Sequence, residues 1–235
     1  MEYQFNDNFL WGAASSGPQS EGTFPGDGKA EMEWDYWFKQ VPEQFFDGVG
    51  PSVTSDFYHK YKEYAKLMKE IGMNSYRTSI QWSRIFKDRE GTVNEEGVTF
   101  YQAVIDEFLS QGIEPVLCLH HFDMPMYWME KGGFENRETA EGFAAFAAKC
   151  FELFGGKVKR WITFNEPIVI AEGGYIYKRH YPAVCDAKKA ALVGYHIQLA
   201  SSMAVREFRK SGREGSIGIV LNLTPTYCKE PDNEE

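Results

Sequence analysis

Apolar residues along this chain follow two spacings in turn. Over residues 57–71, Tyr58, Tyr61, Tyr64, Ala65, Leu67, Met68 and Ile71 recur at three- and four-residue intervals, which places them on one face of a helix. Gly72 follows and closes it. The same spacing predicts helices over 100–109 (Tyr101, Val104, Ile105, Phe108), 139–154 and 187–210, followed by Gly112, Gly155–Gly156 and Gly212. Between them lie short apolar runs of strand length at residues 9–14, 75–80, 114–120, 160–164 and 216–223.

Strands that alternate with helices imply an α/β fold with a parallel sheet and right-handed crossovers. No GxGxxG or Walker-type loop opens any of the helices, which disfavours a nucleotide-binding doubly wound sheet. Polar residues follow each strand instead: Gln19, Arg77, His121, Asn165–Glu166 and Asn222. Such one-sided placement is what a (β/α)8 TIM barrel predicts, with its chemistry at the C-terminal ends of the strands. A closed barrel needs eight strands, and this chain supplies five runs. The expectation is therefore a TIM barrel truncated to about its first five βα units, with residues 1–235 forming one partial domain. The connection over residues 22–56 is rich in Gly and Pro and too long for a plain link, so it reads as a loop that shapes the site.

Composition narrows the partners. The 235 residues carry a net charge of −9, which argues against nucleic acid. The 43% hydrophobic content is ample for a core, and the 16% aromatic content suits stacking on sugar rings as well as core filling. The acidic, polar N-terminus lacks the pattern of a secretory signal, and no run reaches the ~20 apolar residues of a membrane span. Cys118, Cys150, Cys185 and Cys228 form no CxxC and read as reduced, structural thiols of a cytoplasmic protein. The five histidines do not pair with them at ligand spacing, so neither metal nor cofactor is expected.

The run Thr163-Phe164-Asn165-Glu166-Pro167 ends the fourth strand. A carboxylic acid and an amide at a strand mouth read as a catalytic acid/base, Glu166, and a substrate hydrogen-bonder, Asn165. The plainer alternative is a strand-end glutamate in a salt bridge, with Pro167 opening the next helix.

Four segments then match one family in order: the stretch from Phe9-Leu10-Trp11-Gly12 to Gln19-Ser20-Glu21-Gly22, Arg77-Thr78-Ser79-Ile80-Gln81-Trp82-Ser83-Arg84-Ile85, His121-Phe122-Asp123-Met124-Pro125, and Thr163 to Pro167. From Phe9 onward the chain resembles the N-terminal half of glycoside hydrolase family 1, the β-glucosidases and 6-phospho-β-glucosidases. The resemblance implies Glu166 as general acid/base of a retaining β-glycosidase. It implies Gln19 and His121 as ligands of sugar hydroxyls, Asn165 as a ligand of the 2-hydroxyl, and Arg77 beside the nucleophile. Gly17-Pro18-Gln19, Phe122, Glu172-Gly173-Gly174-Tyr175 and His180-Tyr181-Pro182 resemble the phospho-sugar branch, which acts inside bacteria. The implied partner is a small β-glycoside or phospho-β-glycoside.

Retaining hydrolysis needs two carboxylates about 5–5.5 Å apart. The family's nucleophile follows strand seven, which has no counterpart here. Glu172 lies past its strand on the leaving-group side, and Glu114 precedes its strand at the opposite end. Two expectations follow. One is a glycosidase whose second carboxylate lies outside this chain. The other is an inactive half-barrel whose open edges drive self-association.

Overall fold

In the computed structural model, which describes residues 3–225 and Tyr227, five strands form one parallel sheet in sequence order, β1-β2-β3-β4-β5. The strands are β1 (Gly12–Ala14), β2 (Ser75–Ser79), β3 (Glu114–Cys118), β4 (Arg160–Asn165) and β5 (Ser216–Val220). The larger helices are α1 (Glu33–Gln40), α2 (Phe57–Glu70), α3 (Glu95–Ser110), α4 (Arg137–Phe154), α5 (Pro167–Tyr175) and α6 (Ala187–Lys210). Sequence order along the sheet is that of a barrel wall, in which each strand pairs with the next.

The elements form where the spacing of apolar residues predicts. Gly72 and Gly112 close α2 and α3 in the left-handed conformation, at φ 85° and 72°, which costs a glycine nothing. Helix α3 starts five residues before the first apolar position of the predicted segment, because Glu95 and Glu96 form an acidic first turn that suits the helix dipole. The segment over 22–56 is not a bare loop: it contains α1 and two turns of 3-10 helix. It is anchored by an antiparallel bridge between Met32 and Pro125.

Alternation along the strands divides the sheet into two faces. Tyr76 meets Phe57 of α2 and Phe108 of α3, so its neighbour Arg77 points to the inner face. On β4, Trp161 packs edge-on against Phe151 of α4, and the Thr163 hydroxyl bonds that of Ser201 on α6 at 2.7 Å. The core between sheet and helices is aromatic: Phe164 lies 4.6 Å from Phe143, and Trp82 stacks at 5.5 Å on Phe146. Burying each such ring contributes about 1.5–3 kcal/mol. Cys118 and Cys150 are buried and free in this core, as expected of structural thiols. Cys185 is exposed and has no such packing role, and Cys228 lies outside the described residues.

β1 and β5 are the outer strands of the described sheet. β1 is exposed along its length and β5 is exposed or half-buried. No helix among the described residues is long and apolar enough to cross a membrane.

Candidate active site

The site is built at the C-terminal ends of β2, β3 and β4. Strict alternation from Thr163 would turn Asn165 toward the helices. Instead the register slips: Ile162 pairs with Gly218 and Asn165 with Val220, so three residue steps on β4 face two on β5. A bulge of this kind re-aims the side chain that follows it. Asn165 turns to the inner face, where it is buried, and its backbone N–H donates to the His120 carbonyl at 2.9 Å. Glu166 then takes a left-handed backbone, φ 46°, and its N–H donates to the Val220 carbonyl at 2.8 Å. That conformation costs a non-glycine residue about 1–3 kcal/mol and is found mostly where function over-determines it. Pro167 follows at the first position of α5.

Arg77 crosses from β2 over β3. Its Nη2 donates to the Asn165 amide oxygen and lies 3.4 Å from His121 Nδ1. The Asn165 amide is thereby oriented: its oxygen is taken, and its NH2 group has no partner among the described residues. Burial, with the Arg77 charge next, pushes the His121 pKa down to about 4. A neutral ring that accepts at Nδ1 carries its proton on Nε2. The backbone before it is fixed by Asp123, whose carboxylate accepts the His121 N–H at 2.8 Å and the Trp82 N–H at 3.1 Å. Phe122, between them, adopts φ 62°.

Gln19 and His121 line a cleft of about 370 Å³. Its other walls come from Trp34, Phe45, Val49 and Pro51 of the 22–56 segment, and from Phe122 and His180. His180 links two walls, its ring edge-on to Trp34 at 5.1 Å and to Phe122 at 5.2 Å. Gly173 permits this, since a Cβ there would come within 2.9 Å of the His180 ring, while its carbonyl accepts from the Arg179 and His180 N–H groups. Gln19 is exposed, and its amide oxygen accepts from Ser16 within its own turn.

Of the five residues singled out in the sequence, Arg77, His121 and Asn165 are joined directly. Gln19 meets His121 only across the cleft, and Glu166 stands beside Asn165 at the strand mouth without lining it. Asn222 lies elsewhere, in a groove between α5 and α6 that also holds Glu172. Glu114 sits at the start of β3 and bonds Arg160 at 2.7 Å, at the far end of the strand.

Below the site lies a buried ionic frame that periodicity did not reveal. Arg84 pairs with Glu21 and Asp27, both at 2.9 Å, and donates to the Gly22 carbonyl at 2.8 Å. Glu21 also accepts from Gln81 at 2.6 Å and Tyr101 at 2.9 Å. This frame fixes the end of β1 to the turn after β2. Glu21 and Arg84 stand in the quoted motifs, but charged residues in a motif do not announce that they are paired with each other.

The described sheet is a set of successive barrel strands with polar groups gathered at their C-terminal ends, as in a TIM-barrel enzyme. The chain belongs to glycosyl hydrolase family 1, whose family model matches residues 1–235. It is by family a glycoside hydrolase. It is 50% identical to 6-phospho-beta-glucosidase GmuD of Bacillus subtilis, over 96% of this chain and 49% of that protein. Among solved structures, the AHE enzyme of Alicyclobacillus herbarius superposes with a TM-score of 0.93 at 36% identity, over 99% of this chain and 52% of that one. The family 1 β-glucosidase of Thermotoga maritima gives 0.89 at 38% identity, over 93% and 49%. The chain thus spans about half the length of the curated relatives it matches.

Proposed function

We propose that this chain carries the acid/base half of a retaining β-glycosidase site that acts on β-glucosides, with 6-phospho-β-glucosides preferred. Glu166 is the general acid/base that protonates the leaving oxygen and later activates water. Asn165, through its free NH2 group, and His121, through Nε2–H, hold sugar hydroxyls, with Gln19 at the cleft rim. Arg77 fixes the Asn165 amide and keeps the floor of the site positive, which favours the ionised form of a carboxylate nucleophile. That nucleophile lies outside these 235 residues: Glu114 is bound at the opposite end of β3 and Glu172 lies in the groove between α5 and α6. The preference for a phosphorylated sugar rests on the similarity to GmuD and on Phe122, Gly173 and His180, which stand together at the cleft.

The observation that carries this reading is the Arg77–Asn165 bond beside the strained Glu166. It leaves an oriented amide and a carboxylate side by side at the mouth of β4. The test is hydrolysis of p-nitrophenyl 6-phospho-β-D-glucoside by this chain mixed with a separately expressed C-terminal half of a family member. Turnover that disappears with Glu166→Gln supports the assignment. Turnover that survives that substitution removes Glu166 from the role. A second reading is favoured by the two exposed outer strands: by itself the chain is an inactive half-barrel that associates through them.

A further inference from the structure

Two successive side chains of β4 face the helices. Trp161 packs against Phe151 of α4, so alternation sends Ile162 inward and Thr163 outward, where the Thr163 hydroxyl meets that of Ser201 on α6 at 2.7 Å. Phe164 should then turn inward. It points outward instead, its ring 4.6 Å from Phe143 of α4, 5.6 Å from Phe134 and 5.1 Å from His120. Asn165 is left facing inward, toward Arg77. The backbone shows the same extra residue. The Ile162 carbonyl and the Asn165 N–H both face β3, bonded to the Leu119 N–H at 2.8 Å and to the His120 carbonyl at 2.9 Å. Regular pleating would turn these two residues to opposite sides.

Side-chain hydroxyls hold the strand at this point. Thr163 donates to the Gly218 carbonyl of β5 at 3.2 Å, and Gly218 is the residue paired with Ile162, where the slip begins. A hydroxyl has one proton to give, so in the 2.7 Å contact Ser201 is the donor and Thr163 the acceptor. A chain from Ser201 through Thr163 to Gly218 thus ties α6 to β5 across the bulge. Thr163 is fully buried and Ser201 nearly so, which keeps competing water away from both bonds.

We infer that Thr163 and Ser201 are positioning residues: their hydroxyl chain, with Phe164 seated among aromatic rings, fixes the slipped register of β4 and so sets the direction of Asn165 and Glu166. A bulge disrupts the ladder locally, and the hydroxyls supply hydrogen bonds that a regular strand would not need. With regular pleating Asn165 would turn to the helices, away from Arg77, and the Glu166 N–H would leave the Val220 carbonyl. The catalytic consequence rests on the role proposed above for Glu166; the register does not.

Hydrogen exchange tests the register on this chain without a ligand. Thr163→Val keeps the shape of the side chain and removes the hydroxyl, whereas Thr163→Ser keeps the hydroxyl. Protection of the Glu166 amide is expected to fall about tenfold in Thr163→Val and in Ser201→Ala, and to stay within about threefold of wild type in Thr163→Ser, as for one buried hydrogen bond. Amides in the middle of α2 serve as the unchanged reference. In the enzyme assembled with a C-terminal half, kcat/KM is expected to fall about tenfold in Thr163→Val and to stay near wild type in Thr163→Ser. Glu166 protection that is unchanged in Thr163→Val and Ser201→Ala overturns the inference. So does lost protection with full turnover, which would leave the hydroxyl chain a purely structural role. A wild-type mixture without turnover counts against the glycosidase reading alone, and exchange then decides the register. Should Thr163→Val fail to fold, Ser201→Ala, which leaves β4 itself intact, decides by the same two measurements.

Discussion

Arg77 and Asn165 are joined across the whole width of β3: a guanidinium from the middle of β2 holds the amide oxygen of the last residue of β4. This bond converts an amide that could rotate freely into one with fixed donors. Removing it is expected to damage sugar recognition more than folding. In the enzyme assembled with a C-terminal half, Arg77→Met is predicted to lower kcat/KM by about 10–100-fold, the equivalent of a hydrogen bond to a charged group. Steady-state kinetics beside the unchanged far-ultraviolet circular dichroism of this chain checks it. A variant with near-normal kcat/KM would show that Asn165 is oriented by something else.

His121 is predicted to remain neutral, with its proton on Nε2, over the range from about pH 5 to 8, because burial and Arg77 hold its pKa near 4. Nitrogen-15 NMR of the ring gives the tautomer directly, and an imidazolium signal at neutral pH contradicts the geometry. Stability against pH is a poorer probe here. His120 and His121 are both lowered by burial, so they favour the folded state increasingly as pH rises from their folded values toward about 6.5. Glu33 and Asp123 are raised, so over the same range they favour it less. The two contributions oppose each other.

Arg84 neutralises two carboxylates at once, with no exposed surface of its own. Arg84→Met leaves Glu21 and Asp27 buried with no cation, and a loss of about 3–5 kcal/mol is expected. Urea unfolding measures it. The double change with Glu21→Gln is predicted to recover part of the loss, since it removes one stranded charge.

Gly173 is predicted to resist even alanine. The added methyl group would meet the His180 ring at 2.9 Å and drive it from Trp34 and Phe122. The expected cost is about 1–3 kcal/mol, typical of overpacking, with a change in tryptophan fluorescence as the ring contact is lost. Thermal unfolding followed by fluorescence reads both. An unchanged spectrum would mean that the His180 loop can yield.

The exposed outer strands β1 and β5 are predicted to make the isolated chain self-associate. Sedimentation velocity should show species larger than 27.0 kDa. Lysine at Ile219, half-buried on β5, is expected to shift the distribution toward monomer.

Much of this architecture was legible in the sequence because it depends on local spacing. The strand positions, the helix over 187–210 and the glycine stops after 57–71 and 100–109 follow from periodicity and turn chemistry. So does the gathering of Arg77, His121 and Asn165 at one end of the sheet. What was not legible depends on contacts distant in sequence. The bulge between Ile162 and Asn165 reverses the side that simple alternation assigns to Asn165. Helix α1 was hidden in a long Gly- and Pro-rich connection, although Trp34 and Trp37 at three-residue spacing were a usable signal. Asp123 stood in a matched motif with no role, and only the fold shows that it holds two backbone N–H groups.

The most direct test of the central proposal is hydrolysis of p-nitrophenyl 6-phospho-β-D-glucoside by this chain, with and without a separately expressed C-terminal half of a family member. No turnover is expected from the chain alone, turnover is expected on mixing, and Glu166→Gln is expected to abolish it. Turnover by the purified monomeric chain alone, abolished by Glu166→Gln, would contradict it, because the second carboxylate would then have to lie within these 235 residues.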